Sequence, residues 1–82
     1  MAKPKPRRKT QQKHRWEKDS RYYEVHIHHD LWGEIIMTKV WGRIDSPLGN
    51  VRHTPMSSYD EVEKQLKAIT ARRTQHEYQK VI

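Results

Sequence analysis

Trp41, Gly42 and Arg43 carry more chemistry per position than any other stretch of this 82-residue chain. An indole can stack on a base or a sugar, and a guanidinium can fork onto a phosphate. In an extended strand side chains alternate, so Trp41 and Arg43 share one face, together with Lys39. Gly42 between them removes a side chain and permits a close backbone approach. A tryptophan between two cations on one sheet face suits a nucleic-acid strand.

His26 and His28 form a second constellation. Their i,i+2 spacing on a strand can chelate Zn²⁺ or Ni²⁺, and His53 joins them if the strands pair suitably. A natural site needs three or four ligands with outer support. The histidines therefore read as surface groups on an open sheet face, with no metal and no cofactor expected. Protonated near pH 6, they would add positive charge. No Ser/His/Asp order, Gly-rich phosphate loop or carboxylate pair beside a pocket stands out, so neither an enzyme nor a small-molecule substrate is expected.

Lys plus Arg numbers 17 and Asp plus Glu 10, and the resulting charge of +7 is unevenly placed. Residues 1–21 hold nine bases against Glu17 and Asp19, whereas residues 22–82 hold eight bases and eight acids. Lys3, Lys5, Arg7, Arg8, Lys9, Lys13 and Arg15 sit among prolines and polar residues. That composition reads as a disordered basic tail over residues 1–20, a solubilising segment or an arm that binds phosphate non-specifically. Residues 21–82 then form the domain. Its net charge of zero leaves specificity to shape and stacking around Trp41 and Arg43. There is no cysteine, which excludes disulfides, thiolate zinc sites and a thiol nucleophile. The longest apolar run, Ile35-Ile36-Met37, is far too short to span a membrane. No apolar segment follows the basic N-terminus, so no secretory signal is expected. The expected compartment is the cytoplasm, with nucleoid association following from the tail.

The elements that must position these residues follow from periodicity. Tyr23, Val25 and Ile27 alternate with Tyr22, Glu24, His26 and His28, the pattern of a half-buried strand. Asp30-Leu31-Trp32-Gly33 reads as a hairpin turn, with Trp32 closing the hairpin end of the core. Residues 34–44 form a second strand. The turn-rich segment from Asp45 to Asn50 ends it, and Val51 to Met56 forms a third. Ser58 with Glu61 is a capping box, and Tyr59, Val62, Leu66 and Ile69 make one apolar helical stripe, predicting a helix over about 58–73. Tyr78 to Ile82 makes a last strand. The order βββαβ implies an α+β fold: a small antiparallel sheet with one helix packed across one face. With the helix on the Val40 face, Trp41 and Arg43 would lie on the open one.

In this order, Arg21-Tyr22-Tyr23-Glu24, the Asp30-to-Gly33 turn, Trp41-Gly42-Arg43-Ile44, Gly49 and the Ser58-to-Arg73 helix resemble a WGR domain. The chain is similar to short standalone WGR proteins of bacteria and, more distantly, to the WGR domains of DNA-damage-dependent poly(ADP-ribose) polymerases. The resemblance implies an antiparallel sheet with one helix and DNA binding near a break. Trp41 would then contact sugar or base, and Arg43 phosphate or a partner. The family pattern continues with Gly where this chain has Asp45, and has Gly-Tyr where this chain has Glu77-Tyr78.

Residue by residue, two readings stand side by side. Trp41 serves either as a half-buried sheet residue holding Arg43 by stacking or as a direct DNA contact. The whole protein is either a DNA-binding module, with RNA a further target the tail leaves open, or a protein-interaction adaptor docking a partner through Ile35, Met37 and Trp41.

Overall fold

A computed structural model describes residues 11–82. The part of the expected basic tail that holds Lys3, Lys5, Arg7, Arg8 and Lys9 lies outside the described residues. The remainder of that segment is not a tail. Gln12–Lys18 forms a strand, β1, and Trp16 within it is 1% exposed. The domain therefore starts well before Arg21. A two-residue connection, Asp19-Ser20, with Asp19 at φ 55°, turns β1 into β2, Arg21–His29. Such a short turn needs a positive φ to match strand twist, and Asp tolerates it better than most residues.

The rest follows the expected order: β3 (Ile35–Arg43), β4 (Gly49–Met56), helix α1 (Tyr59–Gln75) and a two-residue β5 (Gln79–Lys80). The sheet is five-stranded in the order β4-β3-β2-β1-β5, each neighbour antiparallel. At the β2–β3 turn Asp30 Oδ1 accepts from the backbone N–H of Trp32 and of Glu34, both at 2.9 Å, and Gly33 takes φ 83°. This clamp turns Leu31 and Trp32 outward, 93% and 81% exposed. Trp32 does not close the core. The carboxylate organises the turn, and the two apolar side chains are left in solvent.

Ser58 caps α1 by accepting from Glu61 N–H at 3.2 Å. Glu61 completes the cap one residue further out than the box pattern expects, accepting from Ser57 N–H and Oγ at 2.8 and 2.7 Å. These bonds hold the Glu61 carboxyl below its ordinary pKa. The other end of α1 is a Schellman motif: Tyr78 N–H donates to Arg73 C=O and Glu77 N–H to Thr74 C=O, with Glu77 at φ 65°.

Register decides which face the helix covers. Tyr23 pairs with Trp41, Val25 with Lys39 and Ile27 with Met37. Cross-strand partners share a face, so Met37, Lys39, Trp41 and Arg43 lie on the Tyr23-Val25-Ile27 side. That is the helix side. Trp16, Val25, Ile27, Met37, Met56 and Val62 form the core there, with Tyr23, Ile35, Tyr59, Leu66, Ile69 and Tyr78 around it. The expectation that α1 covers the Val40 face is overturned. A strand's own composition does not choose its inward parity; pairing to a neighbour whose parity is set does. Val40, Ile36 and Gly42 instead face the uncovered side with Glu24, His28 and Tyr22.

The helix starts at the far end of β2, where Tyr59 packs edge-on to His29, and ends beside Tyr23, where Arg73 reaches its ring. It thus follows the length of β2, about 25 Å for 17 residues. The β3–β4 corner of the same face stays uncovered, with Arg43, Asn50 and Arg52 exposed. Among the described residues, no helix is long and apolar enough to cross a membrane.

Candidate nucleic-acid interface

Aromatic residues form a row across the sheet on the helix side. Trp16 faces Tyr23, and Tyr23 faces Trp41. The Trp16–Tyr23 contact is edge-on at 6.3 Å, and Tyr23–Trp41 is stacked at 6.1 Å and 22°. Lys80 Nζ lies 5.6 Å from the Trp16 ring centre at one end of the row, and Asn50 faces Trp41 at the other. Trp41 is half-buried. Its ring stacks on Tyr23, and among the described residues Arg43 does not stack on it, so the expected Arg43 stack is replaced by an aromatic one.

Arginines border this row. Arg21 and Arg43 are direct cross-strand partners beyond Tyr23 and Trp41. Arg73, brought in by the end of α1, sets its guanidinium 4.3 Å from the Tyr23 ring centre and 5.0 Å from that of Tyr78. The Schellman motif creates this arrangement, because it folds Tyr78 back against the turn that carries Arg73. Arg73 Nε is buried without an acceptor among the described residues. Burial raises the Tyr23 pKa against the opposing charges of Arg73 and Arg72, which keeps the phenol neutral. Arg21, Tyr22, Tyr23, Trp41, Gly42, Arg43, Arg73 and Tyr78 line a surface cleft of about 370 Å³.

Charge is sorted by this geometry. Arg43 reaches Asp45 at 3.5 Å, with both side chains largely exposed, a weak and screened pair. Among the described residues, no carboxylate comes within ion-pair distance of Arg21, Lys39, Arg52 or Arg73. Of the other acids, Glu17 and Glu24 lie on the opposite face, Asp60, Glu61 and Glu63 at the start of α1, and Glu77 next to Tyr78 at its end.

A family model described as the WGR domain matches residues 7–81. The chain belongs to the WGR domain family. The match takes in β1 as well as the motif strand. Comparison with curated proteins and with solved structures returns no match. WGR domains are generally associated with nucleic-acid binding in proteins of the poly(ADP-ribose) polymerase type.

Within this WGR domain the motif splits between faces. Trp41 and Arg43 project to the helix side, and Gly42 faces the other. A Cβ on Gly42 would meet Gly49 Cα and Leu48 O at 3.2 Å and Tyr22 Cε1 at 3.5 Å. The close approach that requires glycine is therefore internal: the β4 backbone and the Tyr22 ring occupy the space.

Lys39 lies on the Trp41 face, as its spacing predicts. Lys13 and Arg15 lie on the opposite one. Arg15 is engaged there by Glu17 at 2.7 Å and by Glu24, with Tyr22 4.7 Å from its guanidinium carbon. Burial pushes the Glu24 carboxyl pKa up, but bonds from His26 and Arg15 outweigh it and leave the group below its ordinary value. His26 spends Nε2 on Glu24 at 2.8 Å, while His28 and His53 both hydrogen-bond Thr38, at 2.9 and 2.8 Å. Among the described residues, no three His, Cys, Asp or Glu side chains come together as a metal cage. The surface expected for a partner protein is covered at two of its three positions: Met37 is fully buried and Ile35 packs against the core.

Arg21, Arg73, Arg52, Tyr23 and Tyr78 were not among the expected site residues. One signal for Arg73 exists, since Val62, Leu66, Ile69 and Arg73 continue a single helical stripe. Arg21 and Arg52 become visible only through register.

Proposed function

We propose that this WGR protein is a non-catalytic module that binds DNA, at strand ends or breaks, through the surface around Trp41, with the basic N-terminal segment adding affinity from Lys3, Lys5, Arg7, Arg8 and Lys9. One observation carries the reading. Arg21 and Arg43 face each other directly across two strands next to the half-buried Trp41 indole, and Arg73 lines the same cleft. Like charges opposite one another in a sheet are destabilising, and a phosphate between them turns that repulsion into a pair of charge-assisted hydrogen bonds. Trp41 presents its free side to a terminal base or sugar. Arg43 and Arg21 take phosphate, and Arg73 supplies a donor held in place by two tyrosine rings. A cytoplasmic, nucleoid-bound protein fits this chemistry.

Fluorescence anisotropy with a 5′-phosphorylated blunt duplex and a closed duplex of the same sequence tests the reading. The expected result is tighter binding to the open end, with the preference reduced by Trp41→Ala. Equal affinity for both duplexes would remove end recognition. Absence of binding at low salt would overturn the reading as a whole.

A further inference from the structure

The aromatic row has a cationic pair on each side. Arg21–Arg43 lies beyond one flank of Tyr23–Trp41–Asn50, and Lys39 with its cross-strand partner Arg52 lies beyond the other. The two pairs are four residues apart along β3, about 13 Å. α1 ends beside Tyr23 of β2, and between the pairs the β3–β4 side of this face presents half-buried Lys39 and Trp41 and exposed Asn50 and Arg52 as its floor. Two strands make a floor about 10 Å wide. It has the helix on its β2 side, and it ends at β4, the edge strand of the sheet.

We propose that this ledge is a track for a single DNA strand that extends from the end of a duplex. The inference rests on the Trp41 reading above and deepens it by naming the substrate class. A ledge of this width seats one strand and not the convex surface of a duplex. No element projects from it to enter a groove, as direct readout of a duplex requires. Stacking on Trp41 needs an exposed base face, which a duplex offers only at its terminal pair and a single strand offers at every base. Asn50, directly opposite Trp41 and exposed, places an amide with both donor and acceptor beside the stacked base. Arg21–Arg43 and Lys39–Arg52 then hold the backbone on either side of that base. Lys39 and Arg52 have no ion-pair partner among the described residues, and a passing strand would relieve the repulsion within this pair too.

The test is anisotropy of the full chain with three 5′-phosphorylated probes: a blunt duplex, and the same duplex with a short 3′ or a short 5′ single-stranded extension. One extended probe is expected to bind about tenfold more tightly than the blunt one, the contribution of one stacked base. Arg52→Gln and Lys39→Gln should each move the ratio of extended to blunt affinity toward one. Thermal melting of the variants confirms that each remains folded. Equal affinity for all three probes, with blunt-end binding still sensitive to Trp41→Ala, would overturn the track and leave the end-binding reading standing. A preference that survives both substitutions unchanged would overturn it as well. Failure to bind any probe would overturn both.

Discussion

The guanidinium carbon of Arg73 sits 4.3 Å from the centre of the Tyr23 ring, so the last turn of the helix is tied to the ring that stacks on Trp41. Side chains from three separate segments thereby make one surface. Arg73→Lys keeps the charge and loses the planar stack. It should weaken DNA binding several-fold and lower stability by about 0.5–2 kcal/mol, read by anisotropy and chemical denaturation. Undiminished binding across all salt concentrations would exclude Arg73 from the interface.

Glu77 adopts φ 65° at the position after the helix end where glycine is favoured. Left-handed backbone costs an ordinary residue about 1–2 kcal/mol. Glu77→Gly should therefore stabilise the protein, by roughly 1 kcal/mol once the added unfolded-state entropy is subtracted. A lower melting temperature in the variant would contradict the assignment of that site as the turn that sets Arg73.

Gly42→Ala should destabilise by about 1–3 kcal/mol, the range for overpacking. Two of the three atoms its Cβ would meet belong to backbone, at 3.2 Å, and cannot swing aside. The loss should appear in denaturant midpoints in the absence of DNA. A variant as stable as the native protein, with binding alone impaired, would mean that Gly42 serves the ligand instead.

Two truncations separate the charge of residues 1–10 from the fold of β1. Removing residues 1–10 takes away Lys3, Lys5, Arg7, Arg8 and Lys9 and should leave the thermal transition intact. The salt dependence of DNA binding should flatten by up to about 0.9 per lost phosphate contact. Removing residues 1–20 also takes away β1 and Trp16. Loss of a buried tryptophan alone costs about 3–5 kcal/mol, so that chain should show no cooperative unfolding by circular dichroism.

Acidification should destabilise the fold, first through His14. Burial lowers its pKa below the ordinary 6.5, and the nearby charge of Lys80 lowers it further. As pH falls past 6.5 the unfolded chain takes up a proton that the folded one resists, so stability present above that pH is lost through the folded value. Glu24 adds a second loss below the ordinary 4.5, since its pKa is also lowered on folding. Urea midpoints measured from pH 7.5 to 5 should decline for the native protein and decline less for His14→Asn. Parallel slopes would exclude His14 as the cause.

Short-range signals were legible without a structure. Ser58 and Glu61 mark the start of the helix, Tyr23, Val25 and Ile27 mark one buried face, and the Trp41-Gly42-Arg43 order marks the family. Each depends on residues within a few positions of one another, where spacing alone sets geometry. β1 was illegible because QKHRWEK contains one apolar residue and is held as a strand by β2 on one side and β5 on the other. The Asp19-Ser20 turn ahead of a strong strand was the available hint.

The tertiary structure decided what no local spacing encodes. Pairing of Tyr23 with Trp41 put the motif on the helix side, because cross-strand register and not a strand's own composition sets its inward parity. The same register placed Arg21 against Arg43 and Lys39 against Arg52, and the helix end added Arg73. A sum over residues 22–82 is zero and holds no positions. Folding separates its terms, gathering Lys39, Arg43, Arg52 and Arg73 around one indole beside Arg21 and leaving most acids on other surfaces, so the neutral total becomes a locally positive site.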